Sequence, residues 1–328
     1  RMEIALWGRE DESYLRYIAQ LGATGVIHWG MTPRPGEDAL NYLDLVQVRE
    51  KYENAGLKLV SIENLGDQPR FYDSIILGKP DRDRCIEQIA GSIRNMGRAG
   101  IPYFGYHWMV APTVAGTNPV FSTSTSTRWR GGSLVRSFEF DRAQHSPLFR
   151  DREYSEEEIW DNFTYFLKAI VPVAEESDVR ISLHPSDPPV DQFGGIPRIF
   201  VNLEAFKRAM AIVDSPHSGL TFCLGNWSLM GPGVAEEGLR YFGERERICY
   251  LHFQAVQGGP DKFVECFFEE GQCDFLNIMR ILKEIGFTGY MMPAHGPRLE
   301  GEDQKEGNRT AAYSVGYLQA LKRIAMAE

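Results

Sequence analysis

The feature that most constrains this chain is an alternation running through its 328 residues. Short runs rich in β-branched and aromatic residues, each stopped by a polar residue or a turn, fall at 3–7, 25–29, 58–63, 102–107, 180–184, 220–224, 248–253 and 288–292. Between and after them lie stretches with apolar residues three and four apart, the helical period, at 11–21, 41–55, 82–99, 156–176, 202–213, 233–243, 275–285 and 309–325. Strands separated by helices imply right-handed βαβ units and a parallel sheet. Eight such units in a chain of this length favour closure into a (β/α)8 TIM barrel over a doubly wound sheet. A dinucleotide-binding sheet is disfavoured further because no Gly-x-Gly-x-x-Gly follows the first run. The expectation is one barrel domain over residues 1–328.

Composition narrows the partners. A net charge of −10 argues against nucleic acid and against an anionic membrane surface, since both need clustered Lys and Arg. No apolar run approaches the ~20 residues that span a bilayer. Five cysteines, an odd number scattered through a large chain, do not read as a secreted disulfide framework. With no signal-peptide pattern in the first residues, the expectation is a cytoplasmic protein acting on a small molecule.

One connection is too long for an ordinary barrel loop. The segment from about 108 to 154 contains "STSTSTRWRGG" and "FEFDRAQHSPLFRDREY" without a sustained helical period. Following the fourth strand, it would hang over the catalytic face as a loop excursion, where Arg128, Arg130 and Arg136 could meet an anionic substrate. A solvated or oligomer-contacting excursion is the alternative, and the acidic surface is compatible with a homo-oligomer.

Barrel enzymes gather their chemistry at the C-terminal ends of the strands. The residues there are Trp7, His28, Glu63, His107, His184, Cys223, His252 and His295, which include five of the seven histidines in the chain. One histidine at a strand end is usually structural; five converging on one mouth point to a site. His184, Cys223 and His252 end the fifth, sixth and seventh strands, so adjacent staves would present two imidazoles and a thiolate to one point. That donor set suits Zn, Fe(II) or Mn(II). Cys249, Cys266 and Cys273 have no such neighbours and read as small buried hydrophobes. Glu63 and His107 are candidates for substrate contact by barrel position. Arg198 could hold a substrate carboxylate through paired hydrogen bonds or bridge a helix to the rim. Trp7, Trp29, Trp108 and Trp227 could wall a sugar site or belong to the core. Asp187, with Pro188 and Pro189, would stiffen the loop after His184, and Glu265 reads as a solvated loop acid.

The stretches "ALWGREDESYLRYIAQLGATGVIHW", "LHPSDPPV", "GGIPRIF", "FCLGNWS", "YLHFQAV", "MPAHG" and "AAYSVGYLQAL" resemble, in order and across nearly the whole chain, the successive motifs of mannonate dehydratases, a xylose-isomerase-like TIM-barrel family. The resemblance implies removal of water from D-mannonate to give 2-keto-3-deoxygluconate. It also implies a divalent ion, Mn(II) first, with Fe(II), Co(II) or Zn(II) as alternatives. Carried over, three ligands are His184, Cys223 and His252, and the proton-transfer residues are His295 and Tyr313. The fourth ligand, an aspartate in the family, falls on Ala294. Gln254 stands where arginine is frequent, and Ser186 where aspartate is frequent. These departures keep open two further readings, a sugar isomerase, epimerase or ketosugar-eliminating enzyme acting on a neutral carbohydrate, and a catalytically silent relative or alanine variant.

Overall fold

In the computed structural model, which describes residues 1–66, 68–110, 125–145, 147–302 and 308–328, the eight expected strands pair in parallel. They are β1 Glu3–Trp7, β2 Gly25–Met31, β3 Lys58–Leu65, β4 Tyr103–His107, β5 Arg180–His184, β6 Ser218–Cys223, β7 Ile248–Phe253 and β8 Tyr290–Pro293. Each pairs with its neighbours in sequence, and β8 closes on β1, giving the (β/α)8 barrel. Strands buried on both faces cannot alternate polar with apolar residues. Every residue of β6 and β7 is accordingly buried.

The expected helices follow, α1 Glu12–Gln20, α2 Tyr42–Asn54, α3 Arg82–Arg98, α4 Glu156–Glu176, α5 Leu203–Ile212, α6 Val234–Gly243, α7 Phe275–Glu284 and α8 Asn308–Ala327. Local chemistry starts them. Asp11, Asn41, Asn202 and Asp274 each accept a backbone N–H of the first turn, and Ser155 and Glu158 form a reciprocal capping box at α4. On α4, Phe163, Phe166, Leu167 and Ile170 repeat at helical spacing and are fully buried against the barrel. None of the helices, among the described residues, is long and apolar enough to cross a membrane.

Register sets the level of the site. His107 of β4 lies beside His184 of β5, Cys223 of β6 beside His252 of β7, and His252 beside Met292 of β8. The chemistry-bearing residues therefore end their strands in one layer. Glu63 of β3 pairs with Gly105 of β4, where a methyl would collide with the Tyr250 hydroxyl and lie 2.9 Å from Cγ of Glu63. Glycine there makes room for a carboxylate in the barrel throat.

The excursion expected as loop is not a plain loop in its described part, while 111–124 lie outside the described residues. Strands 125–128 and 134–139 form a hairpin, and 134–139 pairs antiparallel with 262–265, which pairs in turn with 256–259. The partner strand comes from more than a hundred residues away, which a local period cannot reveal. Phe138, Val256 and Phe263 bury the inner face of this four-stranded sheet together with Leu229 and Phe193.

Candidate metal centre and active site

Seven of the eight residues expected at the strand ends line one cavity. Trp7, Glu63, His107, His184, Cys223, His252 and His295 surround it, joined by Trp29, Asp187, Gln254 and Ala294. His28 is the exception. Successive side chains of a strand point to opposite faces, and Trp29 takes the inward one. His28 turns outward to the Tyr52 hydroxyl of α2, 2.6 Å away, so it belongs to the scaffold.

Three residues present metal-ligating atoms to one point. The donor atoms of His184, Cys223 and His252 all lie within 4.8 Å of one another, and all three residues are buried. Nδ1 of His184 sits 2.8 Å from the Pro185 carbonyl, which can only accept, so Nδ1 carries the proton and Nε2 keeps its lone pair. Burial, followed by the neighbouring His107 and His252, holds the His184 pKa well below its ordinary value, which keeps the ring neutral as a ligand must be. Burial also pushes the Cys223 thiol up, so a bound cation would have to displace its proton. Two neutral nitrogens and one thiolate on adjacent staves fit a divalent ion with an open position.

Beneath this cluster Glu63 is 1% exposed. Its Oε2 accepts the Tyr250 hydroxyl at 2.9 Å, and its Oε1 lies 3.1 Å from His107 Nε2. His252 Nε2 is 3.2 Å from Oε2, although the two are poorly aligned for an ideal hydrogen bond. Burial alone would raise the Glu63 pKa, but the flanking His252 and His107 outweigh it and hold the carboxyl well below its usual range. His107 stacks on His184 at 4.0 Å. Glu63, held by His107 and Tyr250, thus forms an anionic floor under the candidate ligands.

The rim is built differently. His295 Nδ1 lies 2.9 Å from Oε1 of Glu265 and 3.1 Å from Nε2 of Gln254, which itself donates to the same Glu265 oxygen at 2.9 Å. The Cys223 thiol donates to Oε1 of Gln254 at 3.1 Å. Nη1 of Arg136, from the added sheet, stands 3.5 Å from His295 Nε2. Glu265 is buried, not the solvated loop acid expected from sequence. Its burial raises the carboxyl pKa, and His295 and Arg136 bring it below the usual value. Opposite, Trp7 donates from Nε1 to the Ala294 carbonyl at 3.0 Å and packs edge-on against Trp29 and His252.

Other expected residues stand outside the cavity. Arg198 is buried behind it, donating Nη1 to the Asp187 carbonyl at 2.6 Å and to Met109 Sδ at 3.1 Å. Burial pulls its pKa down to about 10 despite Asp187. Tyr313 lies behind the wall with Phe267, Phe268 and Tyr317, its hydroxyl taken up by Glu269 and by the Phe268 N–H. Arg130 pairs with Glu269 and Glu270, away from the cavity. Trp108 and Trp227 are core. Sequence reasoning missed Asp187 as a wall residue and Glu265 as the partner of His295. The His-Pro motif placed Asp187 just past β5, a usable signal; Glu265 had none, because its position depends on the strand pairing of the added sheet.

A family model described as D-mannonate dehydratase (UxuA) matches residues 1–146 and 133–327. The mannonate dehydratase of Thermotoga maritima is 29% identical over 96% of this chain and 96% of its own. The crystal structure of mannonate dehydratase from Streptococcus suis serotype 2 superposes with a TM-score of 0.86 and 28% identity, covering 100% of this chain and 94% of that one. A xylose isomerase domain protein from Planctomyces limnophilus, at 13% identity and a TM-score of 0.63 over 100% of this chain and 99% of its own, shares the fold.

Proposed function

The chain belongs to the D-mannonate dehydratase family, and from that premise we propose that it removes water from D-mannonate or a closely related sugar acid to give a 2-keto-3-deoxy acid. The observation that carries this reading is the convergence of the His184, Cys223 and His252 donor atoms beside His295 in one cavity. His184, Cys223 and His252 would hold a divalent ion, with Mn(II) preferred and Fe(II), Co(II) or Zn(II) compatible with the donor set. Bound there, the ion would withdraw charge from the substrate carboxylate and so make the neighbouring C–H acidic enough to break.

The reaction breaks the C2–H and C3–O bonds, and the departing proton and hydroxide make up the water. The enol left behind becomes the 2-keto acid on gaining a proton at C3. His295 suits the first step, because it stands at the cavity rim with a ring nitrogen turned outward. Trp7 and Trp29 supply an apolar wall for a sugar chain. Glu63 and His107 hold the floor beneath it. Arg198 fixes the turn that carries Asp187 into the wall. The cavity measures about 30 Å³, room for an ion and a water. A six-carbon acid must therefore displace the exposed rim side chains Trp29 and Arg136. The five cysteines are all unpaired and buried, which fits a reducing cytoplasm.

The test is turnover of D-mannonate by the Mn(II)-loaded protein in deuterated water, followed by NMR. A 2-keto-3-deoxy acid carrying deuterium at C3 is expected. Turnover of neutral ketosugars alone would replace this reading with an isomerase or epimerase, and the neutral Gln254 and Ala294 in the wall make that the reading to test against.

A further inference from the structure

Arginine carries only hydrogen-bond donors. Facing Nη1 of Arg136 at 3.5 Å, Nε2 of His295 is therefore the accepting nitrogen, and the ring proton resides on Nδ1, 2.9 Å from Oε1 of Glu265. Nδ1 also has Nε2 of Gln254 at 3.1 Å, a donor only, but the nearer neighbour is the anionic Glu265 oxygen, to which Gln254 gives a proton as well, so the stronger, charge-assisted acceptor takes the ring proton. This is the pairing of a base with the acid that orients it, as in hydrolase triads.

How Glu265 reaches His295 is a matter of sheet geometry. On strand 262–265 the side chains of Phe263 and Glu265 share one face, and both are buried. That strand is held on one side by 256–259, with Val256 opposite Glu265, and on the other by 134–139, with Phe263 opposite Phe138. The added sheet delivers a buried carboxylate to one side of the imidazole and the Arg136 guanidinium to the other.

We propose that Glu265 is the positioning residue of His295, holding the ring proton on Nδ1 and turning the Nε2 lone pair to the rim for removal of the C2 proton. The second half of this inference rests on the sugar-acid dehydratase reading; the tautomer does not. The test is ¹⁵N NMR of the histidine rings in the Zn(II)-loaded chain, wild type and Glu265→Gln, together with steady-state kinetics on D-mannonate in the Mn(II)-loaded proteins. The expected result is an Nδ1–H tautomer for His295 in the wild type and its loss in Glu265→Gln. With it kcat should fall on the order of 10²-fold or more while KM stays within about threefold, since a group needed only to align a base acts on the chemical step. An Nε2–H tautomer in the wild type overturns the proposal without any variant, so a poorly folding Glu265→Gln would not shelter it. A fall in kcat with the tautomer unchanged overturns it as well. If the wild type turns over no sugar acid, the functional reading fails, and the tautomer measurement still decides the positioning role.

Discussion

Glu63 gathers Tyr250, His107 and His252 around a carboxylate that is 1% exposed. With His252 Nε2 3.2 Å from that carboxylate, the anion sits where an outer carboxylate can orient a metal-binding histidine. Glu63→Gln removes the anion and keeps the shape, so divalent-ion affinity should fall about 10- to 100-fold in a competition titration against a chelator. Cys223→Ser should do more and abolish stoichiometric binding, because a neutral hydroxyl replaces the only thiolate in the set. Equal affinities in wild type and Glu63→Gln would show that the floor does not orient the ligands. The two residues differ in how far sequence reveals them. Cys223 could be recognised from its place at a strand end between two histidines, whereas the hub role of Glu63 depends on Gly105 leaving space and on Tyr250 crossing the throat from β7.

The barrel elements are those whose local pattern and final environment agree. Arg180–His184, Ile248–Phe253 and Glu156–Glu176 have the bounds the sequence pattern predicts, because short runs carrying Ile181 and Leu183 or Ile248, Leu251 and Phe253 match strands buried on both faces and the apolar stripe of α4 matches a helix packed on one. The helix Gln68–Ile76 and the short helix Leu224–Leu229 escape that reading, the second because a six-residue helix is below the length at which a period can be recognised. The added sheet escapes it for a deeper reason. Its strands are short and its central pairing is long-range, so nothing within 125–139 foretells strand 262–265. This sheet can be tested as an element. Val264 lies in the strand paired on both sides, opposite Gln257 and Ser137, and proline there cannot donate to the ladder. Val264→Pro should release Glu265, lowering kcat on D-mannonate about as far as Glu265→Gln, with one divalent ion per chain still bound. Loss of the ion together with activity would mean that the sheet supports the whole mouth and not His295 alone.

At the scale of the molecule, the three candidate ligands lie on β5, β6 and β7, consecutive staves of a closed barrel. An ion held there ties together strands that the unfolded chain cannot present at one point, so binding adds to folding stability, by about 4 kcal/mol when the free ion is 1,000-fold above its dissociation constant. The next stave, β8, ends beside this point at Ala294, whose N–H donates to the Phe253 carbonyl at 3.1 Å and whose side chain lines the cavity. A carboxylate placed there acts oppositely in the two states. Without the ion, Ala294→Asp puts an anion into a nearly dry wall above the buried carboxylate of Glu63, a desolvation that weakens the fold by about 1–3 kcal/mol. With the ion, the same carboxylate completes a fourth oxygen, nitrogen or sulfur ligand and offsets the charge that two imidazoles and one thiolate leave on a divalent cation. The melting midpoint of Ala294→Asp should therefore drop below that of the wild type in chelator and draw level with it or pass it in excess Mn(II) or Zn(II). The interval between the two conditions would widen. An interval equal to that of the wild type would place the ion out of reach of β8, and midpoints that do not respond to the ion in either protein would show that the three staves bind no ion at all.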